Sequence, residues 1–218
     1  DATLSGTAHA VPWARHAVAA LVSLTDGRLA LLDLQGATGV TVQPHANHAG
    51  LPSDTLLLDH ARLRAVAPNP LALARPVWTL GAAARSAMLV GALESALEQA
   101  VRYAGERVQF GKPLGKYQAI QQQLALMAGD VAAARTAALV AMADCPGGAQ
   151  ASCAATHFST AVAKVRAGEA ATRGTSIAHQ VHGAIGFTHE HALHFATRRL
   201  WAWREEFGSD AAWAVELG

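Results

Sequence analysis

Apolar residues recur every four positions along the middle of the chain, and this repeat constrains the fold more than any other feature. Leucine or valine carries the repeat and alanine accompanies it, at Leu89, Leu93, Leu97, Val101, Ala92, Ala96, Ala100 and Ala104. A period near four is typical of one face of an α-helix, whereas a strand has a period of two. The repeat therefore predicts a long helix from about residue 80 to residue 106.

The same periodicity predicts two more long helices. One runs from about residue 117 to residue 142, and another from about residue 152 to residue 182. One face of the first is apolar, at Ile120, Leu124, Met127 and Val131. Long helices joined by short connections predict an antiparallel four-helix bundle, and no strand is expected after residue 80.

Two further helices complete the prediction. The fourth starts after Thr188, a residue type that caps helix N-termini, with Glu190 near the positive helix end. It is expected to continue to about residue 203. A short helix then spans about residues 209 to 217.

The first part of the chain has a different pattern, which predicts four short strands. These are residues 16–24, 28–34, 39–43 and 55–59. Asp26-Gly27 between the first two is a strong hairpin signal, because both residues tolerate positive φ. Strands followed by helices predict an α+β fold. We expect a partial β-domain in residues 1–70 and a helical bundle domain in residues 71–218, with the boundary between about residues 66 and 76.

Composition excludes several classes of function. Of 218 residues, 51% are hydrophobic and only 15% are charged, so part of the surface is expected to be covered by a partner. A net charge of +1 argues against binding to nucleic acid or to an anionic membrane. No apolar run is expected to span a bilayer, and the N-terminus does not resemble a signal peptide. Cys145 and Cys153 are expected to be free thiols in a reducing cytoplasm, with a disulfide as the alternative.

A polar corner joins the first two long helices, in the segment RYAGERVQFGKPL from Arg102 to Leu114. The Arg107 guanidinium offers a fork of donors suited to phosphate, Gln109 adds an amide, and Phe110 adds a flat ring. The alternative is structural: Arg107 pairs with Glu106 or a helix end, and Phe110 fills the core.

A second corner follows the third helix, in the segment QVHGAIGFT from Gln180 to Thr188. Its glycines, Gly183 and Gly186, can bring backbone N–H groups against a ligand such as a phosphate. A glycine-rich helix corner is also a common structural device, so this segment alone does not identify a site.

The two corners, in this order and on helices of these lengths, resemble the acyl-CoA dehydrogenase family over nearly the whole chain. The element Tyr117-Gln118-Ala119-Ile120 extends the resemblance. The tail 197–208 resembles an actinobacterial subgroup whose members often work as unlike pairs of chains. The resemblance implies FAD, held mainly by a neighbouring subunit. Contacts to FAD are implied for Arg107, Gln109, Phe110, Gln118, Gln180, Gly183 and Ala184.

The resemblance also implies a reaction, the α,β-dehydrogenation of an acyl-CoA thioester with hydride transfer to FAD. It implies electron-transfer flavoprotein or a similar acceptor, and a homo-oligomer or a hetero-oligomer with a paralogous chain. The family's N-terminal helical domain has no counterpart here, so the active site of the isolated chain is expected to be incomplete. The family often has a glycine at the position of Ala184.

A catalytic base is needed to remove the α-proton, and the family often places it just before a glycine that matches Gly208. Phe207 occupies that position and cannot accept a proton, so Glu206 is the candidate base. The alternative is that Glu205 and Glu206 are solvated ends of a charged turn. Some relatives carry the base at a position that matches Gly81. A non-catalytic scaffold or partner subunit of a heteromeric acyl-CoA dehydrogenase is the alternative function.

Five histidines lie near the second corner, at His179, His182, His189, His191 and His194. A two-carboxylate bundle site would need a repeated Glu-x-x-His motif, which the sequence lacks. We therefore expect surface or partner-facing histidines and no metal site.

Overall fold

The structure is a computed structural model that describes residues 2–147 and 152–218. Its strands are β1 (Thr3–Pro12), β2 (Ala19–Ser23), β3 (Leu29–Asp33), β4 (Val40–Gln43), β5 (Ser53–Ala67), β6 (Val108–Gln109) and β7 (Lys112–Pro113). Its helices are α1 (Pro76–Glu106), α2 (Gln118–Ala143), α3 (Cys153–His182), α4 (Leu193–Glu205) and α5 (Asp210–Leu217). One compact unit ends at Thr79, and a second runs from Leu80 to Gly218. The predicted α+β class is confirmed.

The first unit is an antiparallel sheet built around β5. The N-terminal half of β5 pairs with β1 and β4, its C-terminal half pairs with β3, and β2 and β3 form the predicted hairpin. The core beneath the sheet contains the buried side chains Ala14, Leu32, Leu34, Leu56 and Ala61. The sequence prediction missed β1 and gave β5 only five of its 15 residues. Most of β1 is exposed, so it lacks the apolar run by which strands are recognised.

The helical unit is the predicted bundle. Helices α1, α2, α3 and α5 begin and end within about four residues of their predicted bounds. Pro76 opens α1, a position that suits proline because its missing N–H has no helical partner there. The Ser209 hydroxyl caps α5 by accepting from Ala212 N–H at 3.2 Å. Small residues allow close packing, since a side chain at Gly174 of α3 would meet Leu93 at 2.9 Å.

Three details of the helical prediction were wrong. Helix α4 begins at Leu193 rather than after Thr188, whose hydroxyl donates to Ile185 O at 3.0 Å and closes the preceding 3₁₀ turn. Val101, predicted on the apolar face, is 51% exposed. Toward the C-terminal end of α1 the buried residues are alanines: Ala96, Ala100 and Ala104. A two-residue antiparallel ladder, β6 with β7, lies beyond residue 80, where no strand was expected.

Helices α1 and α2 are long and apolar enough to cross a membrane by length and composition, although polar and charged residues interrupt the apolar run in both. This is weak evidence for a span, because the core helix of a soluble protein passes the same test.

Candidate functional site

The first corner is a tight hairpin between α1 and α2. Phe110 and Gly111 form its turn with φ values of 50° and 82°, the positive values that a two-residue hairpin favours. The Tyr117 hydroxyl donates to Gln109 O at 2.9 Å, and the Lys112 ammonium lies 4.3 Å from the Tyr117 ring centroid. The hairpin is therefore tied to the start of α2.

The two diagnostic side chains of this corner point outward. Phe110 is 92% exposed, which rules out the alternative that it fills the core. Arg107 is exposed and makes no ion pair with any residue in 2–147 or 152–218, so pairing with Glu106 is also ruled out. Gln109 and Gln118 are exposed beside them. Phe110 is a non-glycine residue at positive φ, which is a strained backbone conformation. In this conformation its aromatic ring is exposed at the surface.

The second corner is a 3₁₀ turn, Gly183–Phe187, that follows α3 directly. Gly183 has φ 63°, and a Cβ built on it would meet no atom within 4 Å. Gln180, Gly183 and Ala184 are all exposed. Gly186 is needed for packing, because a Cβ there would lie 2.8 Å from Cβ of His182. The corner therefore leaves the backbone at Gly183 open to approach.

An aromatic stack joins the two corners at one end of the bundle. Tyr103, one turn before the first corner, stacks on His182 with ring centroids 4.6 Å apart. His191 meets His182 edge-on at 4.6 Å, and His179 stacks on Phe187 at 4.3 Å. The prediction that the histidines lie on the surface was wrong for His182, which is 3% exposed. Sequence reasoning also missed Tyr103, although its position one turn before Arg107 was visible.

Burial disfavours the charged form of the two central histidines, His179 and His182. Desolvation lowers the pKa of His179 and of His182 below the usual 6.5. His182 Nδ1 donates to Ala178 O at 2.7 Å, which leaves Nε2 as a bare acceptor. In the part of the chain that the structure describes, no group of His, Cys, Asp or Glu side chains could hold a metal ion. Cys145 and Cys153 form no disulfide among the described residues, and residues 148–151 of the loop between them lie outside that part of the chain.

The predicted base, Glu206, lies at the C-terminus of α4, away from solvent. Its carboxylate accepts a hydrogen bond from Arg85 Nε at 2.5 Å. The Glu206 side chain is 9% exposed and the Arg85 side chain is 13% exposed. The alternative of two solvated glutamates is therefore wrong for Glu206, although Glu205 is 59% exposed. The carboxylate already accepts a charge-assisted hydrogen bond from Arg85, which stabilises its charged form. If Glu206 were the base, taking up a proton would weaken this interaction.

Phe207 and Gly81, the two positions that the resemblance matched to a catalytic base, face each other. A Cβ on Gly81 would lie 2.7 Å from Cγ of Phe207, so the ring fills the space above the glycine. Phe207 has φ 56° and is followed by Gly208 at φ 94°. Glycine inside a helix lowers the stability of the helix by about 1 kcal/mol relative to alanine. At Gly81 the packing of the Phe207 ring offsets this loss.

A buried lysine that the sequence analysis did not select supports this turn. Lys164 of α3 is fully buried and donates to Trp203 O at 3.0 Å and to Arg204 O at 2.7 Å, at the C-terminus of α4. Burial lowers its pKa to about 8. A single lysine among alanines on a buried helix face was the available sequence signal.

Replacing this lysine should change how stability depends on pH. Between pH 8 and 10.5 the unfolded chain binds the proton of Lys164 more tightly than the folded chain, so this group's contribution to stability rises with pH in that window. We expect the unfolding free energy of the wild type, relative to Lys164→Met, to rise from pH 8 to pH 10. Urea unfolding at each pH measures it, with the exposed-lysine variant Lys116→Met as the control for net charge. A constant difference would contradict the assignment.

Comparison with known proteins adds independent findings. The model "Acyl-CoA dehydrogenase, C-terminal domain" matches residues 72–212. The chain is 33% identical over 139 residues to acyl-CoA dehydrogenase IpdE2 of Mycobacterium tuberculosis, a match that covers 64% of this chain and 41% of IpdE2. The chain thus spans less than half the length of that relative.

Solved structures agree with this match. A variant of the Tcur3481–Tcur3483 steroid ACAD superimposes with a TM-score of 0.87 at 31% identity, covering 99% of this chain and 58% of that one. The ChsE4–ChsE5 complex from Mycobacterium tuberculosis gives a TM-score of 0.82 at 26% identity, covering 99% of this chain and 58% of that one. The matched fold therefore includes the sheet as well as the helices.

Proposed function

Because the chain belongs to the acyl-CoA dehydrogenase family, we propose that it is a chain of a flavin-dependent enzyme that dehydrogenates an acyl-CoA thioester between its α and β carbons. The observation that carries this proposal is the pair of corners at one end of the bundle, joined by the Tyr103–His182 stack. At this end of the bundle Phe110 is exposed and Arg107 points outward, which suits contact with a ligand or with another subunit.

The described residues fit one edge of an FAD site. The Arg107 guanidinium suits the diphosphate, the exposed ring of Phe110 offers a stacking face, and the open backbone at Gly183 permits close approach. The residues that would hold FAD are Arg107, Gln109, Phe110, Gln118, Gln180, Gly183 and Ala184. Ala184 adds an exposed methyl group at this edge. When bound, FAD accepts the hydride, and the protein's part is to position it.

The corners face outward, which favours a cofactor shared with another subunit. The partner is a second copy or a paralogous chain, and the ChsE4–ChsE5 match supports an unlike pair. Electron-transfer flavoprotein or a similar protein would accept the electrons. We infer a cytoplasmic location, which suits two cysteines that are not joined in a disulfide.

Arg107→Ala tests the flavin site. A hydrogen bond to a charged group contributes about 1.5–3 kcal/mol, so we expect flavin affinity to fall by about tenfold or more. The measurement is flavin retained by the chain co-purified with its partner, from the absorbance spectrum. Arg135→Ala removes an arginine that is 65% exposed and should retain the wild-type amount. Equal retention in both variants would remove the support for the first corner.

A non-catalytic partner subunit is the second candidate function, favoured by the Gly81–Phe207 contact and the Arg85–Glu206 ion pair. Glu206→Gln separates the candidates, because glutamine keeps the shape but cannot act as a base. Full flavin occupancy with lost turnover would identify Glu206 as the base. Unchanged turnover would place the base on the partner chain, and this is the result we expect.

A further inference from the structure

We propose that Phe207 is a fixed steric plug that keeps an acyl chain out of this chain's own base position, so that the size of residue 207 determines whether a CoA thioester binds there. The inference rests on the proposed function and adds the residue that closes the site.

The ring of Phe207 leaves no space at this position. It occupies the volume that any side chain at position 81 would need, with Cγ 2.7 Å from a Cβ built on Gly81. The Arg85 guanidinium lies 6.0 Å from the Phe207 ring centroid and 5.8 Å from that of Trp203. The notch above Gly81 is therefore filled by an aromatic ring beside a cation that is itself paired with Glu206.

Contacts on both sides of Phe207 fix the backbone that carries the plug. Trp213 Nε1 donates to Phe207 O at 2.8 Å, and Arg204 pairs with Asp210 across the turn at 3.0 Å. Lys164 holds the two carbonyls just before the turn at 3.0 and 2.7 Å. A non-glycine residue at φ 56° persists only when its surroundings hold it, and these contacts do so.

Lys164 and Trp213 have a positioning role, because their side chains donate to backbone carbonyls in or just before this turn. Neither side chain needs to touch a ligand, since both act through the backbone of the segment that carries Phe207. Their contacts explain why Phe207, with its strained backbone, points at Gly81 and not at solvent.

The first test uses binding stoichiometry in the flavin-loaded complex with the partner chain, with octanoyl-CoA as the probe in isothermal titration calorimetry. We expect Phe207→Ala to bind one more octanoyl-CoA per copy of this chain than the wild type. Phe158→Ala, which removes a phenylalanine that is 63% exposed, should bind the wild-type number. An unchanged stoichiometry in Phe207→Ala would overturn the proposal. A complex without flavin would instead refute the proposed function.

The second test needs no ligand and remains valid if the complex binds poorly. Gly81→Ala in the wild type should lower the melting temperature, because the new methyl group meets the Phe207 ring. In the Phe207→Ala background the same change should raise it, because alanine is the better helix former. The same sign in both backgrounds would show that Phe207 does not occupy the notch and would overturn the proposal.

Discussion

Trp213→Ala should lower the unfolding free energy of the helical unit by about 3–5 kcal/mol, the usual cost of removing a large buried aromatic side chain. Trp213 is 1% exposed and is the largest fully buried side chain among the residues described. Its indole N–H also donates to Phe207 O at 2.8 Å. The loss therefore combines a cavity between α3 and α5 with an unpaired carbonyl in the turn that carries the plug.

Two variants separate these contributions. Trp213→Phe keeps much of the apolar area but removes the donor, so we expect a smaller loss of about 1–3 kcal/mol. Trp201→Ala removes a tryptophan of the same unit that is 41% exposed and should cost less than Trp213→Ala. Urea unfolding followed by far-UV circular dichroism measures all three. Similar losses for Trp201→Ala and Trp213→Ala would show that Trp213 does not anchor α5.

Asp54→Ala should destabilise the sheet unit by about 2–4 kcal/mol, because it leaves buried donors without an acceptor. The Asp54 side chain is 0% exposed and accepts from the backbone N–H groups of Arg15 at 2.8 Å and His45 at 3.1 Å. It also receives the Arg15 guanidinium, with Nε to Oδ1 at 2.9 Å. The carboxylate thus joins the 3₁₀ turn Ala14–His16, the segment just after β4 and the start of β5.

The same carboxylate predicts an acid-dependent loss of structure. The Arg15 hydrogen bond lowers the pKa of Asp54 from 3.8 to about 2. A lowered folded pKa stabilises the fold above pH 3.8, and that stabilisation is lost as the pH falls toward 2. Hydrogen exchange of β5 amides should reveal this loss in the wild type and not in Asp54→Ala. Asp59→Ala, which removes an aspartate that is 93% exposed, is the control and should behave as the wild type.

Periodicity predicted the helices well because α1 and α3 each bury a long face of regularly spaced small and apolar residues. It missed β1 because that strand gains its structure from pairing with β5 about fifty residues away, which no local pattern records. It placed the start of α4 too early because Thr188 is a good capping residue by type, whereas here it closes a 3₁₀ turn. Residue type thus identified Thr188 as the boundary of an element. It did not show that the element is the preceding 3₁₀ turn and not helix α4.

Residue type alone was enough to select Arg107 and Phe110 as candidates for contact with a flavin. Both side chains are exposed, and their contact with a flavin stays a prediction. The pairing of Phe207 with Gly81 was not visible, because it depends on a positive φ at residue 207 and on residues more than a hundred positions apart. Lys164 was missed for the same reason, since its partners are backbone carbonyls of α4.

The central position of β5 has a consequence for how the chain is made. Strands β1 and β4 pair only with β5 among the strands described, and β5 is the last of the five strands of its sheet to be synthesised. During translation, β2 and β3 can form their hairpin at once, while β1 stays unpaired until residues 53–62 of β5 have left the ribosome. Non-local pairing of this kind is slow and exposes strand edges to other chains. Chaperones that shield nascent strands would therefore be needed most while residues 3–67 are being made.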